Sequence, residues 1–129
     1  MKIVADENIP YAREAFSTLG EVVTLPGRTM SPEAVREANL LMVRSITKVN
    51  AALLEGSAVR FVATATIGED HIDKAYLAER GIGFSSAPGC NAESVAQYIA
   101  AALLELAERY TLQLDSMSIG IVGVGNVGT

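Results

Sequence analysis

From Leu40 to Ser85 the chain reads LLMVRSITKVNAALLEGSAVRFVATATIGEDHIDKAYLAERGIGFS, and this stretch decides the fold. Leu40 to Val43 is a wholly apolar run of strand length. Asn50 to Leu54 is a short helix stopped by Gly56, and Arg60 to Ala65 a further strand. Ile72 to Glu79 is a helix stopped by Gly81, and Gly83 to Ser85 another strand. Short strands that alternate with helices mark parallel strands joined by crossover connections.

The same alternation runs upstream. Lys2 to Ala5 is a short strand, and Asp6-Glu7-Asn8 with Pro10 offers cap-type residues before a helix carrying Ala12, Ala15, Phe16 and Leu19, ended by Gly20. Glu21 to Leu25 is a strand turned by Pro26-Gly27. Ser31-Pro32-Glu33 then supplies an N-cap, a first-turn proline and an acidic residue where the helix dipole favours it, opening a helix to about Ala38. Five strands and four connecting helices define a doubly wound, flavodoxin-like α/β domain. A longer helix follows over about 92–109: Val95, Ile99, Leu103 and Leu106 recur at helical spacing, with Asn91 as its expected cap. Thr111 to Met117 is a connection and Ser118 to Val122 a new strand, so the expected division is 1–110 and 111–129.

Bulk properties exclude several classes. With 10 Lys and Arg against 15 Asp and Glu, the net charge of −5 leaves no sequence-wide basic surface for a phosphate backbone, so nucleic acid is not an expected partner. The longest apolar stretch, Ser94 to Ala107, is interrupted by Gln97 and Glu105 and falls short of the roughly 20 residues that span a bilayer. The Met1-Lys2 start runs straight into Asp6-Glu7 without a signal-peptide core, and the single cysteine, Cys90, excludes an internal disulfide. Both facts suggest the cytoplasm. No metal-ligand set is read.

The expected strand Ser118–Val122 runs into Gly123-Val124-Gly125-Asn126-Val127-Gly128, a G-x-G-x-x-G. Gly123 would make the tight turn, Gly125 would admit a pyrophosphate to the backbone, and Gly128 would let the next helix pack on its strand. The N–H groups of Asn126 and Val127 would face the phosphates. The fingerprint is expected to be cut short at Thr129, ahead of the helix and of the acidic residue that would hold the ribose.

A second site is suggested where two strands end, at Arg44-Ser45 and at Thr64-Ala65-Thr66-Ile67-Gly68, because ligands of open α/β sheets bind at the carboxyl ends of strands. Ser45 and Thr66 offer hydroxyls, and Ile67 and Gly68 lie in the same loop. Arg44 offers a planar fork for a carboxylate or phosphate. The same Ser and Thr would equally satisfy turn backbones, with Arg44 solvated. His71 is read as a local structural residue behind Asp70 as helix cap, and Cys90 as structural.

Several strings carry a resemblance. Asp6 to Arg13, Met42 to Asn50, Phe61 to Gly68, Ser86-Ala87-Pro88-Gly89-Cys90-Asn91-Ala92 and Gly120 to Gly128 together closely resemble the D-isomer-specific 2-hydroxyacid dehydrogenases, in register over essentially the whole chain. The resemblance implies a substrate domain followed by the first strand and glycine turn of a Rossmann NAD-binding domain. It implies NAD-dependent oxidation of a small phosphorylated 2-hydroxy acid, 4-phospho-D-erythronate, on the route to pyridoxal 5′-phosphate, by a cytoplasmic homodimer. Ser45 and Thr66 match substrate-contacting positions of the family, and Asn126 and Val127 its NAD-contacting turn. The catalytic Arg, Glu and His of the family would all lie beyond Thr129, so no catalytic residue is expected in this chain, and 1–129 alone is expected to be inactive. Phosphoglycerate dehydrogenase or another 2-hydroxyacid dehydrogenase is the nearest alternative, with the Cys90 string as discriminator. A non-catalytic receiver-like module is a third reading, one that leaves Gly123 to Gly128 without a role.

Overall fold

The structure, a computed structural model, describes residues 1–128. Its strands are β1 (Lys2–Asp6), β2 (Glu21–Leu25), β3 (Leu40–Val43), β4 (Phe61–Thr64) and β5 (Gly83–Ser85). They form one parallel sheet in the order β2-β1-β3-β4-β5. The helices are α1 (Ala12–Phe16), α2 (Pro32–Val35), α3 (Ala51–Leu54), α4 (Lys74–Glu79) and α5 (Ala92–Tyr110).

Strand order dictates which face each helix covers. From β1 the chain steps outward to β2, then crosses back over β1 to β3 and continues the same way to β4 and β5. Right-handed crossovers therefore put α1 on one face and α2, α3 and α4 on the other. The buried side chains follow that division at the two-residue period of strands. Ile3, Ala5 and Met42 pack with Ala12 of α1, whereas Val4, Leu41, Val43 and Val62 pack with Val35, Leu53 and Leu77 of the other three helices.

Local chemistry sets the helix ends. Ser31 Oγ accepts from Ala34 N at 3.3 Å, Asn50 Oδ1 from Leu53 N at 3.2 Å, and Asp73 Oδ1 from Tyr76 N at 3.0 Å. The chain leaves α4 through Gly81 at φ 65°, a left-handed turn that glycine adopts without a β-carbon clash.

Several expectations are corrected. β1 runs on to Asp6, which is buried and caps nothing; α1 starts only after Tyr11 and ends at Phe16, short of Leu19. α2 ends at Val35 rather than Ala38. α4 starts at Lys74, capped by Asp73 and not Asp70, because Val49 bridges Ile72 in parallel: Val49 N donates to His71 O and Asp73 N to Val49 O, both at 2.8 Å, which keeps 71–73 extended. Asn91 stands at the start of α5 without a side-chain cap bond. Ser118 to Val122 forms no strand. A β-strand exists by pairing, and no ladder partner meets this segment among the described residues.

The chain packs as two compact units, Met1–Ala87 and the segment from Pro88 onward. The first holds the whole sheet. The second is built on α5, none of whose residues is buried.

Candidate functional site

The loops beyond β3 and β4 leave the sheet side by side. Val43 and Thr64 are register partners, and Ala65 N donates to Val43 O at 2.9 Å, so Arg44-Ser45 and Ala65-Thr66 emerge together at the carboxyl edge. Thr47 N closes a turn on Arg44 O at 3.1 Å, and the buried Thr47 hydroxyl donates to Gly27 O at 2.9 Å, which ties this loop to the one after β2. Ser45 is exposed and Arg44 half-buried; neither side chain has a hydrogen-bond or ion-pair partner among the described residues. Their polar groups are available to a ligand at this edge. Ile67 is half-buried and Gly68 exposed in the loop that carries Thr66.

Thr66 belongs to a chain of side chains. Its Oγ1 lies 2.7 Å from Thr64 Oγ1 and donates to Gly68 O at 3.0 Å, and Thr64 Oγ1 lies 3.0 Å from His71 Nε2. Ala87 N donates to Thr66 O at 3.3 Å, which anchors the loop from its other side. His71, expected to be of only local importance, thus reaches the C-terminal end of β4. The signal in the sequence was the two-residue spacing of Thr64 and Thr66, which puts both hydroxyls on one side of an extended chain. Partial burial holds His71 below its usual pKa, opposed by the charges of Asp70 and Glu69. Glu69 is in turn held below the usual carboxylate range, first by its hydrogen bond with Lys74 and then by one with Ser86.

Asp6 was missed by sequence reasoning, which took it for a cap. Fully buried at the end of β1, where the strand order reverses, it accepts through Oδ1 from Asn8 N at 2.9 Å and Asn8 Nδ2 at 3.3 Å. Its Oδ2 has no partner among the described residues.

In the second unit the glycine-rich segment forms a turn. Gly123 has φ 90°, and Gly128 N donates to Gly125 O at 3.2 Å. A β-carbon on Gly128 would collide with Gly123 O, whereas nothing lies within 4 Å of where a side chain at Gly125 would begin. Gly128, expected to let a following helix pack on its strand, instead lets the turn close on itself. Asn126 lies against Gly89, with its Cγ 3.5 Å from the position of a β-carbon there, so the glycine turn meets the chain just ahead of α5. Val127 borders an open groove of about 630 Å³ between the turn and the Ala96, Ile99, Ala100 and Leu103 face of α5. Cys90, expected to be structural, is exposed in this chain. Among the described residues no cluster of three His, Cys, Asp or Glu could hold a metal ion, and no helix is long and apolar enough to cross a membrane.

The sequence profile described as "D-isomer specific 2-hydroxyacid dehydrogenase, catalytic domain" matches residues 3–120. The chain belongs to the D-isomer specific 2-hydroxyacid dehydrogenase family. Among relatives of this dehydrogenase family, the chain is 59% identical to the erythronate-4-phosphate dehydrogenase of Salmonella arizonae over 129 residues, covering 100% of this chain and 34% of that protein. It is 58% identical to the erythronate-4-phosphate dehydrogenase of Tolumonas auensis, covering 100% of this chain and 35% of that one. The chain therefore spans about a third of the length of these curated relatives. In structure it is similar to the NAD+-bound 3-phosphoglycerate dehydrogenase of Entamoeba histolytica, with a TM-score of 0.71 at 25% identity over 99% of this chain and 48% of that one. The match to the family thus takes in the parallel sheet and α5.

Proposed function

We propose that this chain is the substrate-binding part of an erythronate-4-phosphate dehydrogenase, which oxidises the C2 hydroxyl of 4-phospho-D-erythronate to a ketone with NAD as oxidant, in pyridoxal 5′-phosphate biosynthesis. The observation that carries the reading is the identity of 58–59% over the whole chain with proteins of that name. The geometry supports it at the carboxyl edge, where Arg44, Ser45 and Thr66 sit on adjacent loops with the Arg44 guanidinium and Ser45 hydroxyl unengaged. Arg44 suits a carboxylate or phosphate of the substrate, and the two hydroxyls its alcohol and acid oxygens. Ile67 and Gly68 shape the loop that presents Thr66.

The glycine turn fits the pyrophosphate of the cofactor. Gly123 takes a positive φ closed to most side chains, the space beside Gly125 is open, and the Asn126 and Val127 amides belong to the same turn. When bound, NAD would accept a hydride from C2, giving the 2-oxo acid, NADH and a proton. The residues of this chain would hold the substrate's charged ends while that hydride leaves. The base that takes the hydroxyl proton belongs to the longer protein, with an Arg and a Glu beside it. His71 is not that base, since its Nε2 is engaged by Thr64. The working protein is a cytoplasmic homodimer that binds neither nucleic acid nor membrane, a reading in keeping with the net charge of −5.

The test is a spectrophotometric assay of the full-length protein with NAD and 4-phospho-D-erythronate, 3-phosphoglycerate or D-lactate, following formation of the reduced nicotinamide. A preference for 4-phospho-D-erythronate in kcat/KM of at least tenfold is expected. A preference for 3-phosphoglycerate would transfer the chain to the phosphoglycerate branch of the same family, and inactivity on all three would sink the reading.

A further inference from the structure

The contacts that run from His71 to Gly68 can be counted in protons. Three short contacts link four groups: His71 Nε2 to Thr64 Oγ1 at 3.0 Å, Thr64 Oγ1 to Thr66 Oγ1 at 2.7 Å, and Thr66 Oγ1 to Gly68 O at 3.0 Å. Each contact needs one hydrogen. The two threonines supply one apiece, and the Gly68 carbonyl can only accept. A bare Nε2 would leave two protons for three contacts, so that one of them, at 2.7 or 3.0 Å, would set two acceptors against each other with no hydrogen between them. A proton on Nε2 satisfies every contact in one direction: His71 donates to Thr64, Thr64 to Thr66, and Thr66 to Gly68 O. The remaining approach, Thr64 Oγ1 to Val43 O at 3.5 Å, is at the limit of a hydrogen bond and does not compete for the Thr64 proton.

This direction decides how Thr66 meets a ligand. Its only proton is spent on Gly68 O and one lone pair receives Thr64, so a single acceptor position is left on Oγ1. Such an oxygen welcomes an alcohol O–H and repels the acceptor oxygens of a carboxylate or phosphate. We propose that His71 is a positioning residue that, acting through the buried Thr64 as its Nε2–H tautomer, fixes Thr66 as an acceptor for a hydroxyl of the 2-hydroxy acid. The inference rests on the reading of Thr66 as a substrate contact.

Partial burial favours the neutral ring, and neutrality is compatible with the relay because only Nε2 need carry a proton. The groups that face His71 are Asp70 and Glu69 on its own loop, the latter paired with Lys74 at 2.7 Å, and Thr64 on β4.

The experiment compares His71→Leu, His71→Gln, Thr66→Val and the double variant His71→Leu/Thr66→Val in the full-length enzyme. KM and kcat are measured with 4-phospho-D-erythronate, and folding is checked by thermal melting. His71→Leu is expected to raise KM about tenfold, the scale of one well-placed hydrogen bond. His71→Gln, which keeps an N–H donor, should stay within about threefold of wild type. The double variant should be no worse than Thr66→Val, because His71 has nothing left to orient. If Thr66→Val raises KM but His71→Leu does not, or if the two effects add in full, the relay is refuted while Thr66 stands. If Thr66→Val leaves KM unchanged, the assignment of Thr66 falls first and the relay with it. Should His71→Leu fail to fold, ¹⁵N chemical shifts of the wild-type ring, assigned by their loss in His71→Gln, decide the matter. A protonated Nε2 is required, and a bare Nε2 overturns the proposal.

Discussion

Gly27 lies against the buried carboxylate of Asp6: a β-carbon at position 27 would overlap Asp6 Oδ2 and press Ile46 Cδ1 and Cγ1 at 3.0 Å. Asp6 cannot retreat, because its other oxygen is held by Asn8 and the side chain is enclosed at the end of a central strand. Gly27→Ala should therefore destabilise the protein by about 1–3 kcal/mol through overpacking. Thermal or urea unfolding of the variant would check this, and an unchanged midpoint would mean that the loop after β2 is free to move.

Arg44 should govern substrate affinity without governing stability. It is half-buried and has no carboxylate partner among the described residues, so Arg44→Gln removes no internal ion pair. KM for the phosphorylated acid should rise on the order of tenfold or more. Arg44→Lys should recover only part of it, since an ammonium keeps the charge and loses the bidentate fork. Steady-state kinetics together with melting curves separate the two quantities. Equal KM values for all three proteins would remove Arg44 from the site.

The start of α4 offers a comparison of neighbours. Asp73 caps Tyr76 N at 3.0 Å, whereas Asp70 makes no cap. Asp73→Ala should cost about 0.5–2 kcal/mol. Asp70→Ala, an exposed change, should stay within about 0.5 kcal/mol. The reverse order in denaturant unfolding would restore the cap to Asp70.

His71 also gives stability a pH dependence whose sign follows from its depressed pKa. The unfolded chain takes up a proton on His71 near its ordinary value of about 6.5. The folded chain resists until lower pH, so between the two values the unfolded state binds more protons. Stability is therefore fully present above about pH 6.5 and declines as pH falls toward the folded value. The decline should be small, since the ring is only partly shielded from solvent. Melting temperatures measured between about pH 7.5 and 5.5 should fall less in His71→Gln than in wild type, and parallel profiles would contradict this. Any loss from the Glu69–Lys74 pair sets in from the ordinary carboxylate value of 4.5 downward, beneath the pH interval measured for His71.

What could be read from the sequence follows from how local its causes are. β3 and β5 were legible to the residue, because an apolar run and the turn residues around it are complete in themselves. Ser31 was legible as a cap for the same reason. Asp6 and Asp73 were not: whether an aspartate caps a helix or ends a strand depends on where the neighbouring strand runs, and for Asp73 the bridge between Val49 and Ile72 decides it. At the site, the Ser45 and Thr66 loops could be paired because strand ends converge in any parallel sheet. The role of His71 could not, since it rests on a contact made across a loop. Ser118 to Val122 has the composition of a strand and forms none, because pairing is a property of two segments.

The order β2-β1-β3 has a consequence for how the chain is made. β1 leaves the ribosome before the other strands of the sheet yet ends in its interior, with β2 on one side and β3 on the other. Once β1 and β2 have emerged, the open edge of β1, with Ile3, Val4 and Ala5 still uncovered, waits for translation from Pro26 to Val43. At about 5–20 residues per second that interval lasts roughly one to four seconds. In that time the backbone of β1 can accept a strand from a neighbouring nascent chain as readily as its own β3. Crowded polysomes and slow codons between Pro26 and Val43 should therefore be the conditions under which this protein misassembles.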